Sequence, residues 1–131
     1  MSERSSSALV SVVIPVHDAA EYISDTLSSI LSQSLQDIEV IIIDDNSADD
    51  TLKLLQSFAA NDSRIRLLNN SQNIGAGASR NMGLKIASGE YIIFLDDDDY
   101  PNANMLKRMY DHAALLQADV VICRCQSLDL Q

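Results

Sequence analysis

Five short, nearly unbroken runs of β-branched and apolar residues punctuate this chain. Leu9 to Ile14 is the first, stopped by Pro15. Ile38 to Ile43 is the second and ends in Asp44–Asp45. Ile65 to Leu68 is the third, Tyr91 to Leu95 the fourth, ending in Asp96–Asp99, and Asp119 to Cys125 the fifth. Runs without polar alternation fit strands buried on both faces. The segments between them have a different period. From Ala19 to Ser34, Ile23, Leu27, Ile30 and Leu31 recur at helical spacing. Leu52, Leu55 and Phe58 mark a second helix, with Asp49 or Asp50 as its N-cap. A third runs through Met82 and Ile86 and ends near Gly89. Pro101 suits the first turn of a fourth, which buries Met105, Leu106, Met109, Ala113 and Leu116. Strand and helix thus alternate four times before a last strand. This order predicts an α/β fold, a mainly parallel sheet with helices on both faces. No linker, repeat or low-complexity segment divides it. Residues 1–8 are expected to form a disordered tail and 9–131 one folded unit.

Charge narrows the function. Nine Lys and Arg against nineteen Asp and Glu give a net charge of −10, and no basic run appears. Nucleic acid and anionic membranes call for clustered cations, so neither is an expected partner. The apolar runs are too short to span a bilayer, and the polar, Ser-rich start lacks the apolar core of a secretory signal. Cys123 and Cys125 are expected to be buried free thiols on one face of the fifth strand, since His17 and His112 stand at no metal-ligand spacing from them. The chain is read as cytoplasmic, any membrane association residing in a longer parent protein.

The acids are clustered, and the clusters follow strands. Pro15–Val16–His17–Asp18, Asp44–Asp45 and Asp96–Asp99 all stand at carboxyl ends of predicted strands. In open α/β sheets ligands bind beyond those ends, where strand order reverses. With the second and fourth strands as parallel neighbours, all three segments share one rim. A run of four Asp is ordinarily solvated surface charge. Here it terminates a buried strand, and partly buried carboxylates need donors or a cation to stay ionised. No Lys or Arg follows before Lys107, so a metal is the expected counter-charge. All-oxygen ligands suit Mg²⁺ or Mn²⁺. Asp96 and Asp98 are spaced to face one ion, whereas Asp97 and Asp99 are expected to face solvent or cap a helix. The loop Asn73–Ile74–Gly75–Ala76–Gly77, followed by Arg80, has the makings of a diphosphate cradle: backbone donors, a helix N-terminus and a guanidinium.

Four segments, in this order and spacing, resemble the family 2 glycosyltransferases of GT-A fold. They are Val10 to Asp18; Ile43 to Ser47 with Asp50–Thr51; Asn73 to Gly75 with Ala78 to Leu84; and Ala87 to Asp99. The similarity runs from Val10 to about Cys125. It implies a Rossmann-like GT-A fold, truncated after its donor-binding part, a nucleoside-diphosphate sugar donor (foremost a UDP-sugar), Mn²⁺ or Mg²⁺, and a glycan or lipid-linked acceptor. On this resemblance Asp45 accepts a hydrogen bond from the base, Pro15, His17 and Asp18 pack around the nucleoside, and Gly75 and Arg80 lie near base and phosphates. Asp96 leans toward the ribose or metal shell with Asp97 on the nucleotide side, and Asp98 ligates the ion. The transfer is expected to invert the anomeric centre, with a general base beyond Gln131, so that this piece alone binds donor without turnover. Two other functions were weighed: a non-catalytic nucleotide- or polysaccharide-binding module, and a Mg²⁺-dependent phosphoreceiver. The receiver places its acids after the first and third strands and a Lys after the fifth. Here the acids follow the second and fourth, and Arg124 stands between the cysteines.

Overall fold

The computed structural model describes residues 8–125. Along them run β1 (Val10–Val16), α1 (Ile23–Leu31), β2 (Ile38–Asp44), α2 (Thr51–Asn61), β3 (Ile65–Asn69), α3 (Ala76–Ile86), β4 (Tyr91–Phe94) and α4 (Met105–Leu116). The expected tail lies outside the described residues except for Ala8. That residue is buried, and its carbonyl accepts from Glu90 N–H.

The four strands form one sheet in the order β3-β2-β1-β4, and every pairing is parallel. The chain steps outward from β1 to β3, then returns to place β4 on the other side of β1. Strand order therefore reverses between β1 and β4. The second and fourth strands are not the parallel neighbours that the sequence suggested. They flank β1, about 10 Å apart, two strand spacings. Because all strands are parallel, their carboxyl ends still share one rim.

The alternation within β1 shows why these strands are apolar throughout. Val10, Val12, Ile14 and Val16 face a large cluster with Ile38, Val40 and Ile42 of β2, Ile23, Leu27 and Ile30 of α1, Leu55 of α2 and Leu106 of α4. Val13 faces the opposite way, with Ile41 and Ile43, beneath Met82 and Ile86 of α3. Burying one such side chain contributes about 1.5–3 kcal/mol, so both faces lock the register. A one-residue slip of β1 would carry Ser11 into the apolar cluster.

Pro15 does not stop β1; it pairs with Ile43 inside the strand. Val13 O accepts from Leu95 N–H, so the polar groups of Val13, and of Pro15 two residues on, face the β4 side. The β1–β4 pairing ends at Val13 with Phe94. The missing Pro15 N–H thus points where no ladder continues.

At the opposite end of the sheet, Glu39 joins three elements. It accepts from Ser11 Oγ (2.7 Å), Ser88 N–H and Ser88 Oγ (both 2.6 Å). Burial pushes its carboxyl up, but these donors and the nearby Arg66 charge hold it below its usual range. Gly89, expected as a helix end, instead lies against β1: a Cβ there would stand 2.5 Å from Ser11 N. α3 already ends at Ile86.

Three further expectations fail at the carboxyl end. Pro101 precedes α4 by four residues. Leu116 is 71 % exposed, one turn beyond the last buried position, Ala113. Asp119–Cys125 forms no strand; Val120 and Ile122 are 76 % and 88 % exposed, Cys125 is exposed and Cys123 half-buried. Apolar sequence signals burial, but a strand also needs a ladder partner. Here β4 pairs only with β1, and the one described hydrogen bond tying this stretch to β4, Tyr91 OH to Ala118 O (2.6 Å), precedes the run. An apolar cavity of about 190 Å³ opens between β4, α4 and residues 119–121.

Candidate functional site

Beyond the carboxyl ends of β1, β2 and β4 lies a cleft of about 260 Å³ lined by Pro15, Val16, His17, Asp45, Ala76, Arg80, Asp96, Asp97 and Asp98. It occupies the reversal point of the sheet, where the open α/β rule puts a ligand. Of the expected site residues, Asp18 and Gly75 stand behind this lining rather than in it.

The first two loops are clasped together. Asp18, with φ +46°, donates its N–H to Ser47 Oγ and accepts from Ala48 N–H at 2.7 Å. Ala19 N–H donates to Thr51 Oγ1, Ala20 N–H to Asp49, and Asp45 N–H to Val16 O. Asp49 also accepts from Thr51 N–H. Thus Asp49, and not the adjoining Asp50, caps α2 with its side chain. The Thr51 hydroxyl foremost, then the Thr51 and Ala20 N–H groups, hold the Asp49 carboxyl below its usual range against a lesser effect of burial. His17 Nδ1 lies 2.9 Å from Asp45 O, which can only accept, so this nitrogen carries the proton. Nε2 faces Asp18 at 3.3 Å and the Asn73 amide at 3.4 Å.

Asp45 is buried, 3 % exposed, and nearly saturated. Oδ1 accepts from Asn70 Nδ2 (3.0 Å) and Ile74 N–H (2.9 Å), and Oδ2 from Gly75 N–H (2.8 Å). Burial would raise this carboxyl; these donors, with the His17 charge, bring it below the usual range. One lone pair of Oδ2 remains. Gly75 is required by its φ of +92°, for a Cβ would meet nothing within 4 Å. This corrects the picture of the loop as a phosphate cradle. The Ile74 and Gly75 N–H groups point inward at Asp45. Only the first turn of α3 and Arg80 are left for an anion.

The four-Asp turn is arranged differently. Asp99 folds back to accept from Asp96 N–H at 2.8 Å, and its own N–H donates to Asp96 O. Asp97 turns inward and accepts from His17 N–H at 3.2 Å. Its carboxyl is pushed up, by burial first and then by the Asp98 and Asp96 charges, despite that donor. Asp97 is therefore half-buried on the first loop, contrary to the solvent-facing or capping role. Asp96, Asp98 and Asp99 bring carboxylate oxygens within 4.8 Å of one another. Arg80 reaches Asp96 Oδ1 at 3.0 Å. A counter-charge thus comes from α3, which precedes the acids in the chain. It serves one carboxylate of three. Three converging hard oxygens with one cation beside them fit a divalent ion. Asp99 joins Asp96 and Asp98 as a candidate ligand. Asn70 escaped the sequence reading, and Asn73, Ser47 and Thr51 entered it only as members of the resembling segments, without a role; such residues near acids are too common to stand out.

Parallel sheet, reversal point and convergent carboxylates together define an α/β domain with an acidic cleft at the carboxyl rim of its sheet. The chain belongs to glycosyl transferase family 2, whose sequence profile matches residues 11–128. It is 38 % identical over 116 residues to glycosyltransferase GlyG of Streptococcus pneumoniae, covering 88 % of this chain and 38 % of that one. It is 46 % identical over 92 residues to WfaP of Escherichia coli, a UDP-Glc:α-D-GlcNAc-diphosphoundecaprenol β-1,3-glucosyltransferase, covering 70 % and 36 %. The crystal structure of S. aureus TarS 1–349 in complex with UDP-GlcNAc superposes with a TM-score of 0.72 at 33 % identity, covering 82 % of this chain and 31 % of that 1–349 chain. The fold is thus the Rossmann-like GT-A fold expected from the resemblance. The chain spans little more than a third of the length of these relatives.

Proposed function

We propose that this chain is the donor-binding part of a metal-dependent glycosyltransferase that moves a sugar from a nucleoside diphosphate, foremost UDP, to a hydroxyl of a glycan or lipid-linked acceptor. The observation carrying this reading is the convergence of Asp96, Asp98 and Asp99 on one another at a cleft that Asp96 and Asp98 line together with Asp45 and Arg80. WfaP is named for a UDP-linked sugar and the TarS crystal structure is a complex with UDP-GlcNAc, which favours uridine.

In this reading Asp96, Asp98 and Asp99 would hold Mn²⁺ or Mg²⁺. The ion, when bound, supplies Lewis-acid stabilisation of the charge on the departing diphosphate. Arg80 and the first turn of α3 add a guanidinium and unpaired N–H groups for phosphate oxygens. The free lone pair of Asp45 takes a base N–H, while Pro15 and His17 form the wall along the base and Asp18 holds that wall through Ser47 and Ala48. Inversion requires a general base within hydrogen-bond reach of the acceptor hydroxyl. We assign it to the portion of the longer relatives that this chain does not span. No described helix is long and apolar enough to cross a membrane.

Calorimetric titration with UDP, GDP, ADP and CDP, each with and without Mn²⁺, tests the reading. UDP binding strengthened by Mn²⁺ supports it. Metal-independent binding of every nucleotide, or of none, overturns it.

A further inference from the structure

Gln33 follows α1, at a position to which the reading above gives no role, and is wholly buried. Both ends of its amide are engaged. Nε2 donates to Asn102 O at 2.7 Å and to Ser29 O at 3.2 Å, with Pro101 O at 3.5 Å. Oε1 accepts from Leu106 N–H at 3.1 Å. The next residue adds Ser34 N–H to Ala103 O at 2.8 Å. A single side chain therefore grips residues 101–106, which join the four-Asp turn to α4.

This grip bears on the turn because the lever is short. Asn102 is three residues beyond Asp99, and Pro101 between them has a fixed φ. Asp99 in turn accepts from Asp96 N–H, closing the carboxylate cluster. A displacement at Asn102 has almost no free backbone in which to dissipate before it reaches Asp99. Helix capping alone does not account for the arrangement. Asn104, the N-cap of α4, makes no side-chain cap hydrogen bond, and a local Ser or Asp could supply one. The acceptor comes instead from 73 residues away, tied through the same amide to Asn102.

We propose that Gln33 is a positioning residue for the cation-binding turn Asp96–Asp99, acting through Asn102 and the start of α4. The proposal deepens the donor-binding reading and rests on it for its functional consequence. Gln33→Met keeps the volume and removes both polar contacts. Gln33→Glu keeps an acceptor for Leu106 N–H and loses the donor to Asn102 O.

Amide hydrogen exchange on the unliganded chain gives the first readout. In Gln33→Met the Asp96, Asp99 and Leu106 amides should exchange about tenfold faster, while Ile74 and Gly75, held by Asp45, stay unchanged. Leu55→Ala, a truncation in α2, serves as the control for general destabilisation. Calorimetry with UDP gives the second: the strengthening due to Mn²⁺ should fall about tenfold or more in Gln33→Met, as for loss of an outer-shell support, and should survive in Leu55→Ala. Exchange that accelerates evenly along the chain, or an unchanged Mn²⁺ effect in folded Gln33→Met, overturns the proposal. Should Gln33→Met not fold, Gln33→Glu decides by the same criteria. Should the unmodified chain show no Mn²⁺ effect on UDP, the donor-binding reading fails, and the exchange pattern alone still decides whether Gln33 holds the turn.

Discussion

Two acidic segments meet at the same rim, and the protein treats them in opposite ways. From Asp44 to Asp49 the carboxylates are consumed from within: buried Asp44 by Ser47, buried Asp45 by Asn70, Ile74 and Gly75, and exposed Asp49 by Thr51 and Ala20. From Asp96 to Asp99 three carboxylates converge with one guanidinium and one N–H between them. The first segment is framework. The second is a concentration of charge that the protein leaves to be completed. Sequence makes them look alike, because both are Asp-rich and both end a strand. What separates them is the supply of donors from elsewhere in the chain.

Removing the framework carboxylate should have the largest effect. Asp45→Ala takes the acceptor from three donors, one on buried Asn70 and two part-buried at Ile74 and Gly75, and leaving buried donors unpaired costs about 1–3 kcal/mol each. Denaturant unfolding should show a loss of about 3 kcal/mol. A loss below 1 kcal/mol would erase the distinction between the segments. Asp98→Ala should do the reverse: stability within about 0.5 kcal/mol of the parent, with the Mn²⁺-dependent part of UDP binding gone. A destabilisation matching that of Asp45→Ala would make Asp98 framework as well.

Acid should separate the segments more gently. Asp45 and Asp49 have carboxyls lowered on folding. Their contribution is complete above the unfolded value of about 3.9 and is lost as pH falls through the lowered folded values. Asp97 is raised, so the folded state holds its proton more tightly, and stability declines as pH rises through its folded value. Side-chain carboxyl carbon NMR should therefore find Asp97 titrating above Asp45 and Asp49. The opposite order would contradict the donor count. The smallest effect belongs to Asp50→Ala. Exposed and without a side-chain cap bond, it should shift stability by less than about 0.5 kcal/mol, whereas Asp49→Ala should cost about 1 kcal/mol as the working cap.

The strand–helix alternation was legible because each strand is apolar on both faces, and the placement of the acids at strand ends followed from it. Long-range pairing was not. Nothing in Tyr91–Leu95 tells that β4 joins β1 on its far side rather than β2. Nothing in Asp119–Cys125 tells that no ladder receives it. Pro15 read as a stop because its missing donor matters only where a neighbour waits, and none does. Within the site, Asp45 was singled out by its place at a strand end and by the family resemblance, and Arg80 by its charge beside a glycine-bearing loop. That the Ile74 and Gly75 N–H groups turn inward, and that Arg80 reaches Asp96, depends on side-chain direction across elements that spacing does not encode.

The central claim is that the rim holds one saturated acidic segment and one that awaits a cation. Mg²⁺ titration followed by the side-chain carboxyl carbons tests it without any nucleotide. Asp96, Asp98 and Asp99 should shift together and saturably, while Asp44, Asp45 and Asp49 stay in place. Equal shifts in both segments, or none at Asp96, Asp98 and Asp99, would contradict it.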